Sequence, residues 1–347
     1  MPKSAALPES ALLVQCAPNQ AAQAAELADR SGGGLVISGP HALKKAAELR
    51  RRGFPILCDY QRYTGAKRAP AIAEFSHPWL ACQRDLGGPV LTDSGYVGKL
   101  DVAGLRSILR RTLRLGGNAF ALLPLHADWL KVPRDRDILL DEVTSTGVPI
   151  AVALEHAADP LGVQQVLRGL LMLLTGEVPV ILLRSDVSAI GALCHGAHAA
   201  AIGTTTGLRH IAPIPKNPGG GFRAPAVAAF VPHLLSYVSV DKLAAAVQRT
   251  PDNHLWICEC TACGGRTMDH FATIRSEASR QTYAFRHSIE LLYLLREDFF
   301  TRPVDYRHAW YERCDSVSCH HVEAGARPPG FLTAWRKVWQ PSPALRR

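Results

Sequence analysis

Pro149-Ile150-Ala151-Val152-Ala153-Leu154-Glu155 is a short apolar run that closes on a carboxylate. Its residues do not alternate apolar with polar. It therefore reads as a strand buried on both faces, the kind found in a parallel sheet covered by helices. Similar runs precede it: Leu35-Val36-Ile37-Ser38-Gly39, Pro55-Ile56-Leu57-Cys58-Asp59-Tyr60, Pro89-Val90-Leu91-Thr92-Asp93 and Ala119-Phe120-Ala121-Leu122-Leu123. Pro179-Val180-Ile181-Leu182-Leu183-Arg184 and Ala199-Ala200-Ala201-Ile202-Gly203 follow it, and Leu255-Trp256-Ile257 is the last candidate.

Helical stretches separate most of these runs, which implies parallel strands joined by crossovers. Eight such units predict an α/β fold, a (β/α)8 TIM-type barrel. An open doubly wound sheet is the alternative, but no G-x-G-x-x-G supports a dinucleotide site. Residues 1–257 are expected to form the barrel, with an Ala-rich lead-in over 1–30 holding one helix. Residues 258–347 are expected to form a zinc-binding and C-terminal helical region. Residues 210–225, rich in Pro and Gly, predict a long irregular connection or a loop beside a site.

The chain has 347 residues and a formal charge of +9, which suits a polyanionic partner such as nucleic acid. No apolar run approaches the length of a membrane span, and the first residues do not read as a signal sequence. Nine cysteines, scattered apart from one cluster, argue against a disulfide framework. A cytoplasmic protein with no membrane partner is the expectation.

That cluster is Cys258-Glu259-Cys260-Thr261-Ala262-Cys263. Three thiolates so close in sequence can converge on one tetrahedral ion, and Zn²⁺ accepts an imidazole as the fourth ligand. His287, at the start of an amphipathic helix, is the preferred fourth ligand; His270 is nearer in sequence. Four protein ligands leave no open position, so the zinc would be structural. Cys314, Cys319, His320 and His321 are a candidate second metal group, with a plain Cys/His-rich segment as the favoured alternative.

Chemistry in such barrels sits at the C-terminal ends of the strands. The groups expected there are Asp59, Asp93, His126, Asp128, Glu155, Arg184, Asp186 and Thr204-Thr205-Thr206. Several carboxylates at one mouth suit glycosidic chemistry, in which one attacks or stabilises the anomeric carbon and another moves a proton. Each is equally the kind of residue that caps a following helix. The threonines could cradle a phosphate or form a turn. Basic surface is expected at Arg50-Arg51-Arg52, on the helix face of Arg106, Arg110 and Arg114, and at Trp335-Arg336-Lys337-Val338-Trp339.

Two motifs carry a resemblance. Cys258-x-Cys260-x-x-Cys263 with His287 resembles the zinc site of the tRNA-guanine transglycosylase superfamily, and Leu91-Thr92-Asp93-Ser94-Gly95 resembles its Leu-Thr-Asp-Ser-Gly-Gly-Phe segment. The resemblance implies a barrel with a zinc subdomain that exchanges guanine for a 7-deazaguanine in tRNA or DNA. It implies that Asp93 contacts the base as acid/base, with Ser94 and Gly95 beside it, and that a second Asp forms a covalent ribosyl intermediate. It also allows a homodimer or a partner subunit joined through the zinc region. The chain departs from the pattern where Tyr96-Val97 replaces Gly-Phe. It departs again at Gly196-Ala197-His198-Ala199-Ala200-Ala201-Ile202-Gly203, which holds no carboxylate where the family nucleophile stands. Asp186 is then the expected nucleophile and Asp59 the next choice, with Asp59, Asp128 and Glu155 as substrate contacts. A catalytically inactive relative that binds nucleic acid or a catalytic partner is the alternative. A small-molecule enzyme acting on a nucleoside is the third reading.

Overall fold

The computed structural model describes residues 7–49, 53, 55–215, 226–250, 254–301 and 305–338. The chain forms two compact units, Met1–Lys216 and Asn217–Arg347.

The first unit runs β1 (Ala11–Cys16), α1 (Ala21–Arg30), β2 (Gly34–Ser38), α2 (Ala42–Leu49), β3 (Ile56–Asp59), α3 (His77–Leu86), β4 (Val90–Leu91) and α4 (Val102–Leu115). It continues with β5 (Ala119–His126), α5 (Asp128–Lys131), α6 (Pro133–Thr146), β6 (Ile150–Glu155), α7 (Gln164–Leu174), β7 (Val180–Ser185), α8 (Ser188–Cys194) and β8 (Ala199–Gly203). The eight strands are parallel and stand in the order β3-β2-β1-β8-β7-β6-β5-β4, a nearly closed barrel. Alternate residues fill its interior: Leu13, Val36, Leu57, Leu91, Leu122, Ala151, Ala153, Ile181, Leu183, Ala199 and Ala201. The alanines of β6 and β8 make room for leucines from the other strands, which lets the layers interdigitate.

Two strand assignments differ from the sequence expectation. β1, Ala-Leu-Leu-Val-Gln-Cys, lies inside the expected helical lead-in and pairs with both β2 and β8. Its Ala, Leu and Gln are good helix formers, and a short apolar run carries no period that tells strand from helix. Conversely, 255–257 is not a barrel strand. His254–Trp256 is a 3-10 turn, and Ile257 pairs antiparallel with Thr267 in the cysteine loop. Trp256 and Leu255 are apolar because they are buried in the second unit.

The barrel closes imperfectly between β3 and β4. β4 bonds to β5 through Val90 N–H to Asn118 C=O and Thr92 N–H to Phe120 C=O. The backbone of the intervening Leu91 faces the other way. The Gln83 side chain of α3 takes it up: Nε2 donates to Leu91 C=O at 2.8 Å, and Oε1 accepts from Leu91 N–H at 3.1 Å. One primary amide thus makes both bonds that a neighbouring strand would make.

The second unit contains β9 (Ala228–Val231), β10 (Ser236–Ser239), α9 (Val240–Arg249), β11 (Ile257–Cys258), β12 (Arg266–Thr267), α10 (His270–Thr273), α11 (Glu277–Phe300), α12 (Tyr306–Glu323) and α13 (Gly330–Val338). β9 and β10 form an antiparallel pair, and β9 packs on α11. Among the described residues no helix is long and apolar enough to cross a membrane. Arg50-Arg51-Arg52, Trp339 and residues 216–225 of the irregular connection lie outside the described residues.

Candidate metal centre and barrel mouth

Cys258 ends β11, Cys260 and Cys263 sit in the turn beyond it, and His287 stands on α11; all four are buried. Their ligand atoms lie within 4.8 Å of one another. His287 Nδ1 is 3.5 Å from the Cys258 sulfur and 3.3 Å from each of the other two. A tetrahedral ion with ordinary Zn–S and Zn–N bonds would hold nitrogen and sulfur about 3.5 Å apart. The imidazole is aimed from behind: Nε2–H donates to the Phe230 carbonyl of β9 at 2.8 Å, leaving the Nδ1 lone pair toward the thiols. The turn itself is closed by Gly264 N–H to Cys260 C=O and Gly265 N–H to Cys258 C=O. Both glycines have positive φ, +59° and +80°, which side chains disfavour. Glu290, one helical turn past His287, accepts from the Thr261 backbone and hydroxyl and ties the loop to α11.

His270 is turned elsewhere, with Nδ1 bonded to the Thr267 carbonyl and the ring against Phe271. The other Cys/His segment does not converge. Cys314 is buried and Cys319 exposed, while His320 and His321 donate to the carbonyls of His233 and Leu234. Among the described residues, Cys258, Cys260, Cys263 and His287 form the one group of three or more such side chains that could hold a metal ion.

At the barrel mouth each expected carboxylate has a defined partner. Asp59 is fully buried at the end of β3. Its Oδ2 accepts from Tyr63 at 2.7 Å, Ser38 at 3.2 Å and Gln15 at 3.2 Å, and Oδ1 accepts from Gln61 N–H. Arg184 completes the group: Nε lies 3.8 Å from Asp59 and donates to Tyr63 Oη at 2.7 Å, while Nη1 donates to Gly207 C=O. Arg184 has φ +49°, a strained value for a non-glycine residue, and its N–H is held by Gln15 Oε1 at 2.7 Å. This plug, built from β1, β2, β3, β7 and the loop after β3, engages both oxygens of Asp59.

Asp93 is also buried. Both oxygens accept from Ser76 N–H at 3.1 Å, and Oδ2 is 2.6 Å from Arg62. Ser94 shares a proton with Thr92, which in turn accepts from Leu122 N–H. A Cβ on Gly95 would stand 2.1 Å from the Pro70 carbonyl, so no other residue fits there. Glu155 is clamped between Tyr96 Oη at 2.7 Å and Arg68, whose guanidinium lies over the Tyr96 ring. Burial, then the bond to Glu155, pushes the Tyr96 hydroxyl above its ordinary range. Asp128 pairs with Lys99 at 2.7 Å; partial burial, which raises its pKa, is outweighed by Lys99 and His126. Thr204 donates to Gln20, and Thr206 opens a 3-10 turn whose N-cap residue, Thr205, makes no side-chain capping bond.

The flank at β6–β8 differs. Ile211 N–H bonds to Leu154 C=O, and His156 N–H bonds to Ile211 C=O, which docks the segment after β8 onto the end of β6. Arg209 and His210 are thereby carried to the ends of β6 and β7. Arg209 lies 3.6 Å from Asp186. Asp159, after β6, accepts from Leu161 N–H at 3.0 Å as the cap of a 3-10 turn. Burial first, and then the Asp186 charge, raise its pKa to about 7. Burial, then His156 and Arg184, hold His210 below its usual value. Asp93 and Asp186 do not meet: β4 and β7 stand three steps apart around the barrel, whereas β6 and β7 are neighbours.

Sequence reading missed Asp159, since Asp before Pro160 reads as a turn cap, which it also is. Arg62 and Arg68 lie in the loop after β3, where no period exposes their direction. Asp159 has a measurable consequence. A carboxyl raised from about 4 to about 7 keeps its proton in the fold after the unfolded chain has released it. Its contribution is therefore fully present below about pH 4 and is lost as pH rises through 7. Asp159→Asn should raise the melting temperature at pH 8 and leave it nearly unchanged at pH 4. Equal shifts at both pH values would contradict the assignment.

No family model matches the sequence, and no curated protein matches it.

Proposed function

We propose that this chain is a transglycosylase of the tRNA-guanine type, exchanging guanine for a 7-deazaguanine in tRNA or DNA. We further propose that Cys258, Cys260, Cys263 and His287 hold a structural Zn²⁺. The observation that carries the first reading is that Asp159 and Asp186 follow two neighbouring strands, β6 and β7, near enough for the Asp186 charge to act on the Asp159 carboxyl. One is set to hold a proton near neutrality and the other stands beside an arginine. Carboxyl groups pushed to different protonation states are what double-displacement glycosyl chemistry requires.

In this reading Asp186 attacks C1′ of the guanosine. The C1′–N9 bond breaks, its electron pair leaves with the base, and Asp159 delivers the proton that neutralises it. The incoming 7-deazaguanine gives its N9 proton to Asp159, bonds to C1′ and displaces Asp186. Two displacements restore the original configuration. Asp93, with its oxygens committed to Ser76 and Arg62, orients Arg62 rather than moving the proton. The donor set supports zinc, since three thiolates and an imidazole at tetrahedral spacing suit that ion.

The test is release of labelled guanine from tRNA and from DNA in the presence of a 7-deazaguanine. Wild type should exchange on one of the two. Asp186→Asn should abolish exchange while keeping nucleic-acid binding, and Asp159→Asn should slow it by about 10²–10⁴-fold, the usual worth of a general acid. Full activity in Asp186→Asn would overturn the assignment.

The inactive relative is the second reading. It is favoured by the carboxylate-free end of β8 and by the arginines that neutralise Asp93 and Glu155. Absence of exchange by wild type, with binding that weakens steeply as salt rises, would select it.

A further inference from the structure

The second unit holds a cavity of about 810 Å³, within the range of small-molecule sites. Helix α9 lines it at helical spacing with Lys242, Ala245, Ala246 and Arg249. The alanines leave room, and the two cations stand on either side of them, about 10 Å of helix rise apart. Arg249 reaches across to the link after α12: its Nη1 lies 3.8 Å from where a Cβ on Gly325 would stand. Arg327 lines the cavity from that same link. All three cations are exposed, and no carboxylate stands among the described lining residues. The wall that a ligand can reach is mostly apolar. Tyr237 and Val238 of β10, Ala245, Ala326 and Pro329 are each exposed or half-buried, with Ser236 and Ser239 beside them.

Each part of this lining excludes a class of ligand. A small inorganic anion would leave the apolar wall in water, and a plain hydrocarbon would leave the cations unmatched. A polyol would lose more water than two serines replace. We propose that this cavity binds an amphipathic anion. Its head, a carboxylate or a phosphate, would sit among Lys242, Arg249 and Arg327, whose long side chains can reach one point from both ends of the alanine strip. Guanidinium groups take either head through paired N–H donors. Its apolar chain would lie against Tyr237, Val238, Ala245 and Pro329. This proposal does not rest on the reading of the barrel mouth.

Equilibrium dialysis of the full-length chain against labelled dodecanoate and dodecyl phosphate, both below their micellar range, tests it. At least one should bind saturably, at about one per chain. The tighter of the two identifies the head, and either result supports the site. The ten-carbon homologue of that ligand should bind about tenfold more weakly, since each buried methylene is worth about fourfold. Dodecyltrimethylammonium, the same chain on a cation, should not bind saturably. Lys242→Glu and Arg249→Glu change exposed side chains and should keep the metal content and melting temperature of wild type. Each should weaken the anion by about tenfold or more, the worth of a charge-assisted bond. Asp186→Asn should leave the affinity unchanged, which separates this site from the mouth. Four results would each overturn the proposal: no saturable binding of either anion, equal binding of the cationic amphiphile, no dependence on chain length, or wild-type affinity in both charge-reversed proteins.

Discussion

A Cys263→Ser protein should lose its metal and, with it, the fold of residues 217–347. Structural zinc contributes about 10–16 kcal/mol of apparent binding free energy, as much as or more than the net stability of a whole domain. The geometry explains why so much rests on one ion. The cysteine loop is a two-residue strand pair closed by two positive-φ glycines, too small to hold itself. The ion would tie it to α11 through His287, and His287 is bonded to β9 through Phe230. Elemental analysis should find about one zinc per chain in wild type and little in the variant. Limited proteolysis should then cut the second unit and spare the barrel. Unchanged metal content and protease resistance in Cys263→Ser would remove it as a ligand; His270→Ala, in contrast, should keep its metal.

Asp59→Ala should cost the barrel about 3–5 kcal/mol, the usual penalty for stranding one member of a buried ion pair. Arg184 and Asp59 are both almost wholly excluded from solvent. Without the carboxylate, the Arg184 charge has only Tyr63 Oη and the Gly207 carbonyl, and Ser38, Gln15 and Tyr63 each lose an acceptor. The loss should appear in urea as a lower midpoint with an unchanged slope. A midpoint equal to that of wild type would show that the plug is not needed. A charge at the mouth that was merely solvated would cost far less.

The parts of this architecture legible in the sequence are those encoded over a few residues. Runs such as 149–154 and 179–183 declare strands buried on both faces, because no amphipathic element looks like that. The cysteine cluster points to a set of metal ligands because its spacing is local; His287 was expected to open a helix, whereas it stands in the middle of α11 (Glu277–Phe300), where it meets the three thiols. β1 was hidden by composition: Ala-Leu-Leu-Val-Gln-Cys becomes a strand only because β2 and β8 are there to pair with it. The mouth was hidden by distance. Nothing near Glu155 announces Arg68, and nothing near Asp59 announces Arg184, since those partners meet only once the ring of strands sets their directions. Asp159 was hidden by its place as a cap; the burial and the Asp186 charge that raise its carboxyl arise only in the fold.

The bond pair between Gln83 and Leu91 has a consequence for how the barrel is held at one seam. Elsewhere around the ring, parting two strands means breaking a ladder of main-chain bonds that no substitution other than proline can edit. At the β3–β4 seam, where the strands are not paired, the partner of the Leu91 backbone is a side chain of α3. That bonding can be loosened, shifted or reinforced by changing one residue of α3, with the backbone of the strands left as it is. The seam is thus the place where the partner of a barrel strand is set by a side chain, so that replacing Gln83 changes the bonding of Leu91 and leaves the main-chain ladders of the other strands intact.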